Sequence, residues 1–235
     1  MAPGKYTVRL KIDGQSYTQS LTVLRDPRSS GSDADIDLSV KTGLQICDDI
    51  SHVSDTVNQI EWLRKQLEVI ETMLRPPKKK EKEKPDFAEE DDNEEHPPAP
   101  SQSFDGGQIK HNADLLKAAE SLDEKLQTVE HKFVSPALTN SDDKYYSESY
   151  KLHLNLIWLN AEVGTGGGDV AGGADFAPTD TQLELLKAFG SELAGADADY
   201  QKIIKTDLPG FNRSLADSNL ASLVDPLNSK PSKPE

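Results

Sequence analysis

Residues that could do acid–base, nucleophilic or metal chemistry are few and scattered. The histidines are His52, His96, His111, His131 and His153, and Cys47 is the lone cysteine. A zinc site gathers imidazoles and thiolates at short spacings, and no two of these histidines fall at a metal-binding helical spacing. His96 lies among acids without a second imidazole or thiol nearby. A di-iron bundle needs inward E-x-x-H motifs, and Glu130-His131 lacks that spacing. No H-E-x-x-H, G-x-S-x-G or paired-cysteine motif occurs. Asp33, Asp35 and Asp37 are spaced like calcium-loop ligands, but the central glycine is missing and the twelfth position is Leu44. The glycine-rich run Gly164 to Pro178 has no lysine and follows a helical pattern, so it reads as a flexible linker and not a phosphate loop. Asp48-Asp49 and the pair Asp197 and Asp199 fit exposed helix faces. Cys47 reads as a small buried residue on a helix. Trp62 and Trp158 read as core or bundle-edge residues. These residues predict no enzyme: no catalytic residue, no metal ligand and no cofactor.

Composition narrows the partners. The chain has 235 residues, 35% hydrophobic and 29% charged, with a formal net charge of -15. That charge disfavours nucleic acid and an anionic membrane surface. No apolar run approaches the roughly 18 residues that span a bilayer, so no membrane insertion is expected. The first apolar residues alternate with polar ones, so no signal peptide is expected at Met1. Asn212-Arg213-Ser214 matches a glycosylation sequon, which matters only in a eukaryotic secretory setting.

The elements that would position any site begin with a hairpin. Tyr6, Val8, Leu10 and Ile12 alternate with polar residues, the period of a half-buried strand. Asp13-Gly14 suits a type I′ turn. A two-residue turn then pairs Ile12 with Gln15, Leu10 with Tyr17 and Tyr6 with Leu21. The apolar residues share one parity; Ser16, Thr18, Ser20 and Thr22 take the other. Asp26-Pro27 ends the hairpin. Two strands alone are marginal in water, so the hairpin must dock on its own chain or complete a sheet supplied elsewhere. Tyr6, Val8, Leu10, Tyr17 and Leu21 are the candidate partner-binding residues. Val8 and Leu21 are also the positions where proline would test pairing.

The rest reads as helix. A first helix runs from the Ser32–Asp37 capping region to about Leu74, with a stripe through Ile36, Val40, Leu44, Cys47, Ile50, Val53, Val57, Ile60, Leu63, Leu67, Ile70 and Leu74. Pro76-Pro77 stops it. Residues 76–104 carry lysines, then acids, between prolines, and read as a disordered charged insertion. A second helix covers about Gln108 to Phe133. A third holds Tyr150, Leu152, Leu154, Ile157, Trp158, Leu159 and Ala161, the densest apolar run and the expected bundle centre. A fourth starts at Pro178-Thr179-Asp180 and ends or kinks at Thr206 to Pro209, before a short helix from Phe211. The predicted fold is mainly α, an antiparallel bundle of about four helices with an N-terminal β-hairpin. Leu44, Ile50, Val57, Ile60, Leu67, Leu122, Leu126, Leu154, Trp158, Leu186, Leu193 and Ile203 are its expected contact residues. The expected domains are the hairpin at 1–28, the bundle at 33–75 and 105–222, the insertion at 76–104 and a disordered tail at 223–235.

The pattern PGKYTVRL…DGQSYTQSLTVLRDPR resembles the end of the Ig-like domain in large secreted bacterial proteins of the sortilin-like, BNR-repeat β-propeller family, often labelled glycosyl-hydrolase-like. In that family the last hairpin of the sandwich runs through D-P-R into a C-terminal helical region. Asp26-Pro27-Arg28 sits at that joint, and VNQIEWLRKQL, LDEKLQTVE, YKLHLNLIWLNAEVG, APTDTQLELLKAFGSEL and TDLPGFNRSL follow in order. The propeller and the earlier sandwich strands are absent, and any hydrolase label belongs to those parts. The acidic 76–104 segment is longer than the family's short connection. The resemblance implies a C-terminal module without an active site, in an extracellular or periplasmic setting.

The expected function is a non-catalytic interaction module whose partner, a protein or the parent chain, completes the β-sheet. The alternatives are a C-terminal fragment of a hydrolase-like protein with activity elsewhere, and a helical bundle that binds a small molecule near Trp158. Insertions of low hydrophobicity cost only slowly growing loop-closure entropy. Deleting residues 78–100 should therefore leave the thermal midpoint within a few degrees and helical circular dichroism unchanged; a large loss of either would show that the segment packs.

Overall fold

The computed structural model describes residues 2–75, 106–139, 148–165 and 175–224. The charged insertion and most of the glycine-rich run lie outside them. The protein is a mainly α, antiparallel bundle of about four main helices with an N-terminal hairpin. Its strands are β1 (Gly4–Ile12) and β2 (Gln15–Val23). Its helices are α1 (Asp33–Leu74), α2 (Gly106–Phe133), the single turn α3 (Pro136–Thr139), α4 (Leu152–Thr165), α5 (Asp180–Lys202) and α6 (Leu208–Asp217). A π-helical turn at Ile203–Asp207 links the last two.

The helix starts follow local chemistry. Before α1 the Ser32 hydroxyl accepts from the Asp35 N–H at 3.1 Å, and the Asp35 carboxylate accepts from the Ser32 N–H at 3.0 Å. Before α5 Thr179 and Gln182 repeat this reciprocal arrangement at 3.3 and 2.9 Å. Each satisfies two N–H groups that a helix leaves without partners.

Buried side chains recur at strict steps of three and four. In α1, after buried Ile36 in the first turn, they are Thr42, Ile46, Val53, Thr56, Ile60, Leu63, Leu67, Ile70 and Leu74, with half-buried Asp49 completing the frame. In α2 they are Leu115, Ala119, Leu122, Leu126, Val129 and Phe133, with Glu130 buried beside this track, and in α4 Leu152, Leu156, Leu159 and Val163. This seven-residue repeat is the seam of helices packed nearly along one another.

The seam corrects the expected stripe. Leu44 is 61% exposed and Cys47 is exposed, while Val40, Ile50 and Val57 are half-buried. Extending the frame back from Ile60 in sevens gives Val53 and Ile46, and the companion column gives Thr56, Asp49 and Thr42. Polar residues hold inward positions there, so the apolar pattern alone drifted onto a neighbouring track. The same holds in α4. Trp158 is 54% exposed and Ile157 is exposed, Leu154 is half-buried, and the centre is formed by Leu152, Leu156 and Leu159. Trp62 also lies at an edge, 40% exposed. Ile60, Leu67, Leu122, Leu126, Leu186, Leu193 and Ile203 are buried as expected.

The chain divides into two compact units. The first holds residues 1–61 and 127–202. In it α4 runs antiparallel to α1: Cys47 Sγ lies 3.9 Å from Asn160 Oδ1, and one turn pair further Ser54 Oγ meets His153 Nε2 at 3.3 Å. α5 runs parallel to α1 through His52–Asp197 at 2.7 Å and the Tyr200 hydroxyl donating to Gln59 Oε1 at 3.2 Å. Lys132 at the end of α2 pairs with Asp199. A Cβ on Gly31 would collide with the Asp175 carbonyl, so the joint after the hairpin packs tightly against the chain before α5.

The second unit holds residues 62–126 and 203–235. Arg64 donates to Asp123 at 2.8 Å between α1 and α2, and Lys125 donates to Asp207 at 2.7 Å. His111 Nε2 lies 2.8 Å from Ser218 Oγ, so the end of α6 meets α2. Asn212 brackets the backbone of Leu223 at 2.8 and 3.0 Å, and Gln66 accepts from the Val224 N–H at 2.9 Å. Leu223 and Val224 are therefore pinned and do not belong to the disordered tail expected at 223–235; the residues after Val224 lie outside the described part.

Ile60 has no exposed surface. Ile60→Asp should abolish the cooperative melt, since an uncompensated buried charge costs several kcal/mol against a total of about 5–15 kcal/mol. Leu44→Asp should change stability by about 0.5 kcal/mol or less. Equal losses in the two variants would show that the frame is wrongly assigned.

Candidate functional site

The hairpin gathers several exposed apolar residues in one place. Its register pairs Ile12 with Gln15, Leu10 with Tyr17, Val8 with Gln19 and Tyr6 with Leu21, as the alternation predicts. Asp13 and Gly14 both lie at positive φ, 50° and 78°, as a type I′ turn requires. Only β1 and β2 form the sheet among the described residues.

Directly opposite residues share a face. One face therefore carries Tyr6, Val8, Leu10 and Ile12 from β1 and Gln15, Tyr17, Gln19, Leu21 and Val23 from β2. Val8 is 52% exposed, Leu10 55%, Ile12 51%, Tyr17 55% and Leu21 46%. None of the described helices covers it. The other face carries Lys5, Thr7, Arg9 and Lys11 from β1 and Ser16, Thr18, Ser20 and Thr22 from β2. The candidate residues Tyr6, Val8, Leu10, Tyr17 and Leu21 thus stand together on one side. Tyr6 is the most sheltered, and its hydroxyl donates to the Ala2 carbonyl at 2.6 Å. The Tyr17 hydroxyl donates to Gln15 Oε1 at 2.6 Å.

The turn also fixes which main-chain groups are free. A two-residue turn closes on a hydrogen-bonded pair, here Ile12 and Gln15. Bonded and non-bonded pairs then alternate. Gly4, Tyr6, Val8, Leu10 and Ile12 spend their N–H and C=O groups on β2. Lys5, Thr7, Arg9 and Lys11 point theirs outward from β1, and Ser16, Thr18, Ser20 and Thr22 point theirs outward from β2. Val8 and Leu21, the expected proline positions, therefore belong to the hairpin's internal ladder. Proline there would open the hairpin. The edge donors belong to the opposite parity, a distinction visible in the sequence once the turn length is fixed.

The joint is ordered by charge. The Asp26 carboxylate accepts from the Arg28 N–H at 2.9 Å, which holds its pKa below the usual range. Arg25 donates to the Gly31 carbonyl at 3.0 Å and pairs with Asp33 at 3.5 Å.

Other surfaces offer less. Trp158 stacks on Tyr150, with centroids 6.5 Å apart and planes 6° from parallel, on an exposed side of α4. A hollow of about 150 Å³ lies among Phe133, Val134, Ser135, Leu138, Lys151, His153 and Leu154, and Trp158 does not line it. Shallower hollows of about 490 Å³ beside Leu208, Asn212 and Arg213 and about 440 Å³ beside Lys132, Glu192 and Asp199 reach the range of about 300–1,000 Å³ usual for ligand pockets, and Trp158 lines neither. Burial holds the His153 imidazole below its ordinary pKa, and Asp49 is raised by its own burial. Among the described residues no three metal-ligating side chains gather.

Comparison with family models, with curated proteins and with solved structures finds no match for this chain.

His153 carries a pH consequence. Its folded-state pKa is lowered, so the unfolded chain binds the proton more readily. Its contribution to stability is complete above the unfolded pKa of about 6.5 and is lost as pH falls through the folded value. Thermal midpoints of the wild type should drop more between pH 7 and 5 than those of His153→Gln. Parallel profiles would show that His153 is solvated.

Proposed function

We propose that the chain is a non-catalytic interaction module that docks onto a larger assembly by β-strand addition to its N-terminal hairpin. The observation that carries this reading is the bare apolar face of a two-stranded sheet whose edges hold free main-chain groups. An isolated hairpin is marginal in water, and each added strand supplies hydrogen bonds as well as cover. Main-chain bonds supply affinity in this mode, and side chains of alternate residues supply specificity. The face formed by Tyr6, Val8, Leu10, Tyr17 and Leu21 is the part of the surface that a partner sheet would bury.

The same bare sheet favours a second reading. The resemblance to the C-terminal region of sortilin-like, BNR-repeat β-propeller proteins makes β1 and β2 the last strands of an Ig-like sandwich, whose other strands would come from the parent protein. On that reading the module works outside the cytoplasm, and any hydrolase activity resides in the parent.

Thr18→Pro and Ser20→Pro remove edge donors of β2 without touching its ladder to β1. Partners captured from native lysate by the wild type and identified by mass spectrometry should be lost or weakened at least tenfold in both variants, with far-UV circular dichroism unchanged. Capture at wild-type strength in both variants, and in Val8→Pro, would move the interface to the helices.

A further inference from the structure

We infer that the strand added to β2 is the β2 strand of a second copy of this chain, paired antiparallel about a two-fold axis at Gln19. The inference rests on the docking reading above and names its partner.

The two edges of the hairpin differ in charge. β1 presents Lys5, Arg9 and Lys11 on the residues whose main-chain groups point outward. Lysine and arginine on an edge strand are a common guard against strand addition. β2 reads QSYTQSLTV, nine residues with no charge, no proline and no glycine. It is the unguarded edge.

The sequence of β2 is self-complementary in one register. With Gln19 opposite Gln19 of the second copy, the strands overlap along their full length. Ser16 then faces Thr22 and Thr18 faces Ser20. These are the residues with free N–H and C=O groups, so all of them find partners in the ladder. Their side chains place hydroxyl opposite hydroxyl, a favourable cross-strand pair. On the other face Tyr17 lies opposite Leu21, aromatic against aliphatic. Gln19 faces its own copy at a non-hydrogen-bonded position, where side chains approach closest.

The corresponding arrangement through β1 fails. Centred on Val8, it sets Lys5 opposite Lys11 of the second copy, and like charges directly opposite are destabilising. Pairing through β2 keeps these cations at the two outer edges. Strands lie about 4.8 Å apart, so the β1 strands are separated by three spacings, roughly 14 Å, beyond the screening length of about 8 Å at physiological salt. The product is a four-stranded sheet, above the size at which a sheet with an apolar face becomes stable. On its apolar face the rows Tyr6–Leu21 and Leu10–Tyr17 of one copy run on into those of the other, with the two Gln19 side chains between them. The chain's net charge of -15 opposes association, so moderate salt is the condition of choice for observing it.

Sedimentation equilibrium on the full chain at high micromolar concentration and moderate salt should give twice the single-chain mass. In a Cys47→Ser background, Gln19→Cys should form a disulfide-linked dimer under mild oxidation, and Tyr17→Cys, which faces Leu21, should not. Gln19→Lys and Gln19→Glu should each be monomeric and should dimerise when mixed, which separates loss of the interface from loss of the fold. A single-chain mass with no cross-link at position 19 would overturn the inference, as would a dimer that cross-links through Tyr17→Cys instead. If the chain is monomeric yet captures a foreign protein in a manner lost in Thr18→Pro, self-pairing is wrong and strand addition stands. A monomer whose lysate partners ignore that proline would remove both.

Discussion

Inward side chains spaced by three and four residues govern the helical part of this protein. A helix presents such positions as one narrow stripe, and a stripe buries its apolar area only against other helices running nearly alongside it. Ile46, Val53, Ile60, Leu67 and Leu74 keep a strict seven-residue interval, and Leu115, Leu122 and Val129 repeat it in α2. The seam also admits Thr42, Thr56 and half-buried Asp49, whose carboxyl is raised by burial. A buried hydroxyl or carboxyl costs free energy unless its hydrogen bonds are met, and no buried side-chain oxygen or nitrogen among the described residues lacks a partner.

Ion pairs and hydrogen bonds set direction within that frame. Cys47 with Asn160 and Ser54 with His153 fix the antiparallel pairing of α4 with α1. Arg64 with Asp123 and Arg75 with Glu120 do the same for α1 and α2. Most such pairs are solvent-exposed and worth about 0–1 kcal/mol each, so they specify register more than they hold the fold.

The hairpin follows the opposite logic. Its two strands satisfy one another, but one face finds no helix to cover it. The joint from Asp26 to Asp33 is ordered by arginine–carboxylate pairs, by Arg25 on the Gly31 carbonyl and by the close approach at Gly31. A polar joint of this kind carries the hairpin without burying it. The protein thus joins helices that bury one another's seams to a hairpin whose apolar face stays exposed.

Much of this was legible in the sequence. The period-two alternation and Asp13-Gly14 determined the hairpin, its register and its positive-φ turn, because a two-residue turn leaves one consistent pairing. Ser32, Thr179 and the prolines at 76, 77 and 178 determined where the long helices begin and end, because caps and breaks are local chemistry. The candidate face of Tyr6, Val8, Leu10, Tyr17 and Leu21 followed from parity alone. The inward track of α1 and α4 did not. Leu44, Cys47 and Trp158 are apolar by type but exposed, and Thr42 and Thr56 are polar but buried, since neighbouring helices choose among stripes that a single sequence offers almost equally. Nor could the sequence decide whether the hairpin would be covered. Exposure is a property of what packs nearby, and only the tertiary structure left that face bare.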